Sequence, residues 1–208
     1  HVVERTATLL RALGLPDPEL GFDPGAIGEL PTPESSSGGL HAPVLIQPGA
    51  GWGNKEYPPE RWGRIAGTIG ARSGRAVGVL AGPGEESLAD RVVSASGGRA
   101  RRVSPGGIDG LTRTLRDAGL VLGGDTGPVH LAHALGIPVL ALHGPTSPDR
   151  HGPWRRRDRA LWRTLPCSFC YRRFDAVKAC LLEIPPERVA GRALEILEAA
   201  RGPGPGPG

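Results

Sequence analysis

The stretch 121-VLGGDTGPVHLAHALGIPVLALHGPTSP-148 decides the fold of this chain. An apolar run ends in two glycines, a segment of helical character follows, and a second apolar run occupies residues 138–142. This order predicts a strand, a helix and another strand, the unit from which parallel sheets are built. Asp125 lies at the turn between the first strand and the helix, where a phosphate-binding loop is expected, so its negative charge requires an explanation.

The same alternation extends through most of the chain. Strands are predicted at residues 43–47, 75–80, 100–103, 119–123 and 138–142. Helices are predicted at residues 59–71, from about residue 85, around Ile108, Leu111 and Leu115, and from about residue 128. Strands and helices that alternate in this way predict an α/β fold with a doubly wound parallel sheet. In such a sheet ligands bind beyond the carboxyl ends of the strands, so the loops that follow the strands should carry the site.

Glycine and proline are distributed unevenly along the chain, which contains 33 Gly and 22 Pro among 208 residues. Residues 1–14 place Val3, Ala7 and Leu10 on one helical face, whereas residues 15–40 are rich in Pro, Gly and Ser. We predict a helix at 1–14, a flexible connector at 15–40, one globular unit at 41–200 and a disordered Gly/Pro tail at 201–208. The chain begins with His and contains no Met, which predicts a piece of a longer protein.

Charge and hydropathy exclude several classes of function. The net charge is +4, and the densest basic run, 155-RRRDR-159, is typical of a solvated surface or of a surface that attracts an anionic substrate or membrane. Aromatic residues make up only 4% of the chain and no nucleic-acid-binding motif accompanies the charge, so no nucleic-acid partner is expected. No apolar run approaches the roughly 20 residues of a transmembrane helix. The predicted location is cytoplasmic.

The loop 48-PGAGWGNK-55 follows the first predicted strand and has glycines at 49, 51 and 53. Such glycines let the backbone approach a ligand and turn its N–H groups toward an anion. Lys55 adds a mobile positive charge suited to phosphate, in a chain with only one other lysine, Lys178. The loop matches neither a P-loop nor a dinucleotide-binding fingerprint. A simple turn between strand and helix is the alternative.

Asp125 has two interpretations from the residues alone. Asp125 or Thr126 could cap the following helix, whose first turn suits Pro128. Alternatively, the carboxylate could hold the loop or a sugar hydroxyl while Thr126 and the Gly127 amide face a phosphate. His130 lies one turn into this helix and therefore near the same site, whereas His133 is typical of a core or loop-bracing histidine.

The three cysteines, Cys167, Cys170 and Cys180, contain a C-x2-C pair but no fourth thiol and no paired histidine. Structural zinc sites usually have four ligands, so free thiols are expected and a zinc site is the minor alternative. No metal site is predicted.

Several motifs occur together in one order: 47-QPGAGWGNKEYPPERW-62, 81-AGPGEE-86, 124-GDTGPVHLAHALGIPVLALHGPTSP-148, 153-PW-154, and 166-PCSFC-170 with 179-ACL-181. With this combination the chain resembles glycosyltransferase family nine, the bacterial lipopolysaccharide heptosyltransferases, over about residues 41–200. The resemblance implies the C-terminal, donor-binding half of a GT-B fold, in which two Rossmann-like domains face across a cleft. Residues 1–14 would be the last helix of the N-terminal domain. Residues 171–179 depart from the family, which often has a further cysteine there.

The resemblance also implies a reaction and a set of site residues. Heptose would pass with inversion from an ADP-activated donor to a lipopolysaccharide core acceptor held by the N-terminal domain at the inner face of the cytoplasmic membrane, with no cofactor. Lys55 and Asp125 would be catalytic, stabilising the leaving group, while the general base would lie on the N-terminal domain. The residues implied to bind the donor are Ala50, Gly51, Lys55, Glu85, Asp125, Thr126, Gly127 and His130.

Each of these residues has an implied part in binding. Lys55 would meet the diphosphate, Glu85 would accept hydrogen bonds from the ribose hydroxyls, and Asp125 with its neighbours would meet the diphosphate and the transferred sugar. Two other kinds of function stay open. One is another GT-B enzyme, either a hexosyltransferase or a UDP-sugar epimerase, and the other is a nucleotide-diphosphate-binding module without catalysis.

Overall fold

The computed structural model describes residues 1–12, 41–173 and 179–200, apart from the side chains of residues 7, 9 and 10. The first helix, α1, spans Val2–Ala12, within the segment where the apolar spacing predicts a helix. The predicted stop at Gly14, the connector at 15–40 and the tail at 201–208 lie outside the described residues and stay predictions. The predicted apolar face of α1 also stays untested, because two of its three side chains are outside the described set.

Six strands form one sheet in which every pairing is parallel. Their order across the sheet is β3-β2-β1-β4-β5-β6, so the predicted doubly wound α/β fold is confirmed. The strands are β1 Val44–Gln47, β2 Val77–Leu80, β3 Ala100–Val103, β4 Leu120–Gly124, β5 Val139–His143 and β6 Ala160–Trp162. The direction of winding reverses between β1 and β4, which makes the carboxyl ends of these two strands the switch point where ligands bind in such folds.

Seven further α-helices are described after α1. They are α2 Pro59–Ser73, α3 Glu86–Ser94, α4 Ile108–Arg116, α5 Gly127–Ala134, α6 Pro148–His151, α7 Ala179–Leu182 and α8 Pro186–Ala199, with short 3-10 turns at Gly53–Lys55 and Arg157–Arg159. Helices α2, α3, α4 and α5 begin within about two residues of their predicted positions. Strand β6 and helices α6, α7 and α8 were not predicted.

The core consists of two apolar layers, one on each face of the sheet. On one face, residues such as Val44, Ile46 and Leu122 pack with the buried stripes of α2, α3 and α8. On the other face, residues such as Leu45 and Val121 pack with α4 and α5. Because neighbouring residues of a strand point to opposite faces, strands buried on both sides need the continuous apolar runs that this sequence has.

The predicted inward face of α4 is partly wrong. Leu115 is fully buried, whereas Ile108 is 66% exposed. Ile108 is the first residue of α4 and projects at the carboxyl edge of the sheet, where it lines a cleft and does not reach the core.

Candidate functional site

A cleft of about 780 Å³ opens beyond the carboxyl ends of β1, β2, β3 and β4. The loops after these four strands form its walls. Seven of the eight residues implied to bind a donor line this cleft: Ala50, Gly51, Lys55, Glu85, Asp125, Thr126 and Gly127. The eighth, His130, lies directly behind Asp125. The structure therefore brings together residues that are up to 80 positions apart in the sequence.

Lys55 is held in place by anchors on both sides. It ends the 3-10 turn Gly53–Lys55, in which the buried Asn54 donates a hydrogen bond from Nδ2 to the Arg172 carbonyl at 2.7 Å. Two residues further on, the buried Tyr57 hydroxyl donates to the Ile184 carbonyl at 2.6 Å. The Lys55 ammonium also lies 4.8 Å from the centre of the Trp52 ring, a cation–π contact. A side chain that is mobile in isolation is thus fixed at the cleft floor.

Asp125 accepts hydrogen bonds from two side chains. Its Oδ2 lies 2.9 Å from Lys55 Nζ, and its Oδ1 lies 2.8 Å from His130 Nε2. Burial alone would raise the pKa of the Asp125 carboxyl, but the hydrogen bonds from His130 and Lys55 and the charge of Lys55 lower it well below its usual range. Asp125 is therefore ionised at neutral pH. It is a poor proton acceptor and a good hydrogen-bond acceptor.

The capping alternative for this loop is not what the structure shows. Thr126 is the N-cap of α5, and no side chain caps the helix; the Thr126 hydroxyl faces the Gly124 carbonyl instead. Backbone N–H groups in the first turn of a helix have no partner within the helix. With Gly127 at the first position, this helix presents an uncapped N-terminus to the cleft, which favours an anion.

Glu85 is held by groups that the sequence analysis did not identify. Its Oε2 accepts hydrogen bonds from Gln47 Nε2 at 3.1 Å and from the Gly82 amide at 3.0 Å. A Cβ atom at Gly49 would collide with Glu85 Oε1, so the glycine is needed for this carboxylate to approach the β1 loop. Gln47 is the last residue of β1, and a polar residue at the end of a buried strand was the available signal for it.

A second glutamate, Glu56, also belongs to this loop. Burial raises the pKa of Glu56, while a hydrogen bond from the Ala50 backbone lowers it and the nearby charge of Glu85 raises it. Ala50, implied to bind the donor, therefore lies beside a carboxylate. Gly51 has open space around its Cα, so its backbone is the more accessible of the two.

The cleft has an apolar end opposite Lys55 and Asp125. Leu80, Pro83 and Pro105 line it together with Ile108 and Leu111 of α4. The exposed Ile108 side chain, unexpected in a core helix, is accounted for by this position. A flat apolar group of a ligand would contact this end while charged groups contact the other.

Other histidines near the site differ in role. His133 Nε2 bonds the Trp154 carbonyl at 3.1 Å, in agreement with the predicted bracing role. His143, the last residue of β5, is completely buried, and neither of its ring nitrogens has a hydrogen-bond partner among the described residues. The sequence analysis did not single out His143; a histidine at the end of an apolar strand was the available signal.

Cys167 and Cys170 are exposed and Cys180 is buried, all as free thiols. Within the described ranges, no group of three or more His, Cys, Asp or Glu side chains is placed to hold a metal ion.

The parallel sheet, its switch-point cleft and the uncapped helix define a Rossmann-like α/β domain with an anion-binding cleft. Carboxylates that accept hydrogen bonds lie beside a lysine that attracts anions, an arrangement suited to a ligand that carries both hydroxyls and phosphates. The chain belongs to glycosyltransferase family 9 (heptosyltransferase), whose family model matches residues 1–180. The expected family is therefore confirmed.

Curated relatives and solved structures agree with this assignment. The chain is 30% identical to lipopolysaccharide heptosyltransferase 1 of Pseudomonas aeruginosa, over 91% of this chain and 57% of that protein. It is 32% identical to the Escherichia coli K12 protein of the same name, over 73% of this chain and 47% of that protein. The chain thus spans about half the length of the curated relatives it matches.

Two solved structures share the fold at lower identity. The structure of E. coli ADP-heptose lps heptosyltransferase II matches with a TM-score of 0.67 and 19% identity, covering 79% of this chain and 49% of that chain. The structure of E. coli heptosyltransferase WaaC with ADP matches with a TM-score of 0.67 and 23% identity, covering 94% and 57%. Both support the fold, and this chain covers about half of each of them.

Proposed function

We propose that this chain is the donor-binding half of a heptosyltransferase, which transfers heptose from an ADP-activated donor to a lipopolysaccharide core acceptor with inversion. The observation that carries the proposal is the Lys55–Asp125 pair beside the uncapped N-terminus of α5, at the switch point of the sheet. The names of the relatives support the reaction, and the structure neighbours with ADP and with ADP-2-deoxy-2-fluoro heptose support the class of donor.

We propose one orientation of the donor in the cleft. Its volume of about 780 Å³ lies within the usual range for small-molecule sites. We place the base at the apolar end beside Ile108, the ribose hydroxyls at Glu85, and the diphosphate between Lys55 and the Gly127 amide. The sugar then lies by Asp125 and His130, whose polar atoms match its hydroxyls. This orientation explains why an acid lies in a phosphate-binding loop.

In the reaction we propose, an acceptor hydroxyl oxygen attacks the anomeric carbon of heptose. The bond from that carbon to the phosphate oxygen breaks, ADP leaves with the electron pair, and a base takes the hydroxyl proton. Lys55 and the α5 N-terminus stabilise the charge that grows on the phosphate, as preorganised donors do in other enzymes. Asp125 holds Lys55 and the sugar in place. Its low pKa makes it unsuited to be the base.

Calorimetry with ADP tests the donor site. We expect the folded chain to bind ADP with or without a chelator, because Lys55 and helix N–H groups meet the diphosphate and no cluster of metal ligands is described. UDP should bind more weakly if the apolar end is shaped for adenine. A strict requirement for Mg²⁺, or a folded sample that binds no ADP, would overturn the proposal, and a preference for UDP would point to the epimerase alternative.

We also propose that the protein acts in the cytoplasm, peripherally at the inner face of the cytoplasmic membrane. Residues 143–173 contain eight arginines and two aspartates, a formal charge of +6, although the whole chain carries only +4. Three of these arginines, Arg155, Arg163 and Arg172, are exposed and have no carboxylate partner among the described residues. Within the described ranges, no helix is long and apolar enough to cross a bilayer. Surface charge is therefore the feature that favours anionic lipid.

Sedimentation with lipid vesicles tests this association. Vesicles containing phosphatidylglycerol should bind the chain at low salt and release it at high salt, whereas neutral phosphatidylcholine vesicles should not bind it. The triple variant Arg155→Gln, Arg163→Gln, Arg172→Gln should lose binding. A control with the same charge change elsewhere, Arg72→Gln, Arg99→Gln, Arg113→Gln, should retain most of it. Equal loss in both variants would show only a dependence on net charge.

A further inference from the structure

The side chains that line the cleft carry more negative than positive charge. Lys55 is the one cation among the described lining residues, whereas Glu85, Glu86 and Asp125 contribute carboxylates. Lys55 is also already paired with Asp125. A nucleotide diphosphate adds negative charge on each phosphate, and a helix N-terminus offsets only about half a unit charge. The bound state therefore needs positive charge that the lining side chains do not supply.

Three histidines come from the elements that follow Asp125 in the chain, and we call them the histidine cluster: His130 in α5, His143 at the end of β5 and His151 at the end of α6. His130 of α5 bonds the Asp125 carboxylate at 2.8 Å. His143 of β5 is completely buried with no hydrogen-bond partner for its ring among the described residues. His151 ends α6 and packs edge-on against Tyr171. Because β4 and β5 pair in parallel with Gly124 opposite Leu142, the next residues, Asp125 and His143, follow side by side at the carboxyl edge of the sheet.

We propose that the nucleotide diphosphate binds together with a proton, which the histidine cluster takes up from solvent. The proton attaches to a ring nitrogen of the cluster, and no bond of the ligand forms or breaks. The extra positive charge offsets the phosphate charge that Lys55 and the α5 N-terminus leave uncompensated. This inference rests on the proposed donor site, and it assigns a role to His143 and His151 in addition to His130.

A bound phosphate would make the electrostatic environment of the histidine cluster more negative, which is the change that favours proton uptake. In the ligand-free protein, burial lowers the pKa of His143 to about 4; Asp125 opposes this, and His130, Lys55 and His151 add to it. Burial also lowers the pKa of His151; Asp125 again opposes this, while Arg150, Lys55 and His130 add to it. A phosphate beside Lys55 counteracts its positive charge, so both histidine pKa values rise on binding. A pKa that rises on binding means proton uptake.

Calorimetry with ADP at pH 7.5 to 8.5 tests the proposal, because the phosphates of free ADP are then ionised. Titrations in EPPS and in Tris, which both buffer in this range and differ in ionisation enthalpy, give the number of protons exchanged. We expect a net uptake of protons and a Kd that increases with pH, with about tenfold per pH unit as the limit for one whole proton. Binding of ADP with no uptake would overturn this inference and leave the proposed function intact. If the folded chain binds no ADP at any pH, the proposed function fails as well.

Histidine variants test whether the cluster is the acceptor. His151→Gln and His143→Gln should each reduce the uptake and flatten the dependence of Kd on pH; His143→Phe replaces the ring by an apolar one of similar size if the amide is not tolerated. The control is His41→Gln, an exposed histidine that precedes β1 at the opposite end of the sheet, and it should change nothing. Uptake that is undiminished in His143→Gln, His151→Gln and His130→Gln alike would assign the proton to the nucleotide and overturn the proposal.

Discussion

At the residue scale, the carboxylate of Asp125 joins two partners from different parts of the fold, Lys55 in the loop after β1 and His130 in α5. Lys55 and Asp125 are only 13% and 10% exposed, so each depends on the other for compensation of its charge. The pair also sets the geometry of the cleft floor, because it ties the loop after β1 to the loop after β4. An exposed ion pair would contribute little to the stability of the chain or to the geometry of the cleft.

Replacement of Asp125 by Asn separates sugar binding from phosphate binding. We expect Asp125→Asn to keep ADP affinity within about threefold, because Lys55 still faces the diphosphate. Affinity for ADP-heptose should fall by about tenfold to a hundredfold, since a hydrogen bond to a charged group contributes roughly 1.5 to 3 kcal/mol. Calorimetry with both ligands measures the difference. An equal loss for ADP and ADP-heptose would limit Asp125 to a structural role.

For the same variant, Asp125→Asn, we predict a change in how the free energy of unfolding depends on pH. Because the pKa of Asp125 is lower in the folded chain than in the unfolded chain, its contribution is complete above the unfolded value of about 3.9 and disappears as the pH falls through the folded value. Urea denaturation should show Asp125→Asn to be less stable than the parent at pH 7, with a smaller difference at pH 3. A difference that is constant with pH would contradict the assignment of the lowered pKa.

The sequence predicted these residues but not their contacts. Lys55 and Asp125 stand out because each follows a buried strand, and parallel strands bring their carboxyl ends to one edge. Lys55 and Asp125 can form a pair because β1 and β4 are neighbours in the sheet. The order of the strands along the chain does not reveal which strands are neighbours. Gln47 and His143 were missed because each ends an apolar run and looks like part of a core strand.

At the scale of elements, helix α2 depends on glycine for its close approach to the turn after α3. A Cβ atom at Gly63 would collide with the Ala95 side chain and lie 2.7 Å from its backbone carbon. Gly191 of α8 has nothing within 4 Å of the equivalent position. Both glycines are inside helices, so they form a matched pair in which only the packing differs.

We expect opposite effects from alanine at these two positions. Gly63→Ala should lower the free energy of unfolding by about 1 to 3 kcal/mol, the usual cost of overpacking. Gly191→Ala should raise it by about 0.5 to 1 kcal/mol, because alanine favours the helix and meets no obstacle. Urea denaturation of the two variants measures both values. Stabilisation by Gly63→Ala would show that the α2–α3 contact is looser than the structure indicates.

The boundaries of β1 to β5 were predicted to within two residues, both for a buried strand such as β2 and for the partly exposed β3, which was predicted at its observed bounds. Apolar runs between turn residues mark the buried strands, and the apolar stripes of the following helices separate them. Strand β6 was missed because its three residues, Ala160–Trp162, follow the basic run and show no period. Helix α8 was missed although Pro186 at its start and its apolar spacing favour a helix. The exposure of Ile108 was not predicted, because helical spacing does not distinguish a residue of the core from one that lines a cleft.

At the scale of the whole molecule, charge is divided between two regions of the carboxyl edge. The charged side chains that line the cleft are mainly acidic, while the segment after β5 and β6 is strongly basic. The two regions meet at Trp52, whose ring lies between Lys55 and Arg173, at 4.8 and 4.6 Å from the two cations. An anionic surface that docks on the arginines would therefore lie next to the cleft without competing for Lys55.

The last prediction concerns turnover by the chain as it stands. Transfer needs a base within reach of the acceptor hydroxyl and a site that holds the acceptor in attack geometry. Of the acidic residues of the cleft, Asp125 is held ionised by Lys55 and His130, and Glu85 is bonded to Gln47 and to the Gly82 amide. Both carboxylates are engaged within the proposed donor site, and the third acidic residue of the lining, Glu86, is exposed at the start of α3. We therefore expect the 208-residue chain to bind ADP-heptose but to transfer no heptose.

Fusion of the N-terminal half of the Pseudomonas aeruginosa relative ahead of residue 1 should restore transfer, because that half would supply the acceptor site and the base. In the fused protein, Lys55→Ala should lower kcat by about a hundredfold or more, the usual effect of losing one preorganised donor to a growing negative charge. Arg64→Ala, an exposed change on α2 far from the cleft, should leave kcat unchanged. The rate at which radiolabelled heptose is transferred to lipopolysaccharide measures the activity of each of these proteins. Turnover by the unfused chain would place a base within these residues, and the exposed Glu86 at the start of α3 would then be the first to replace.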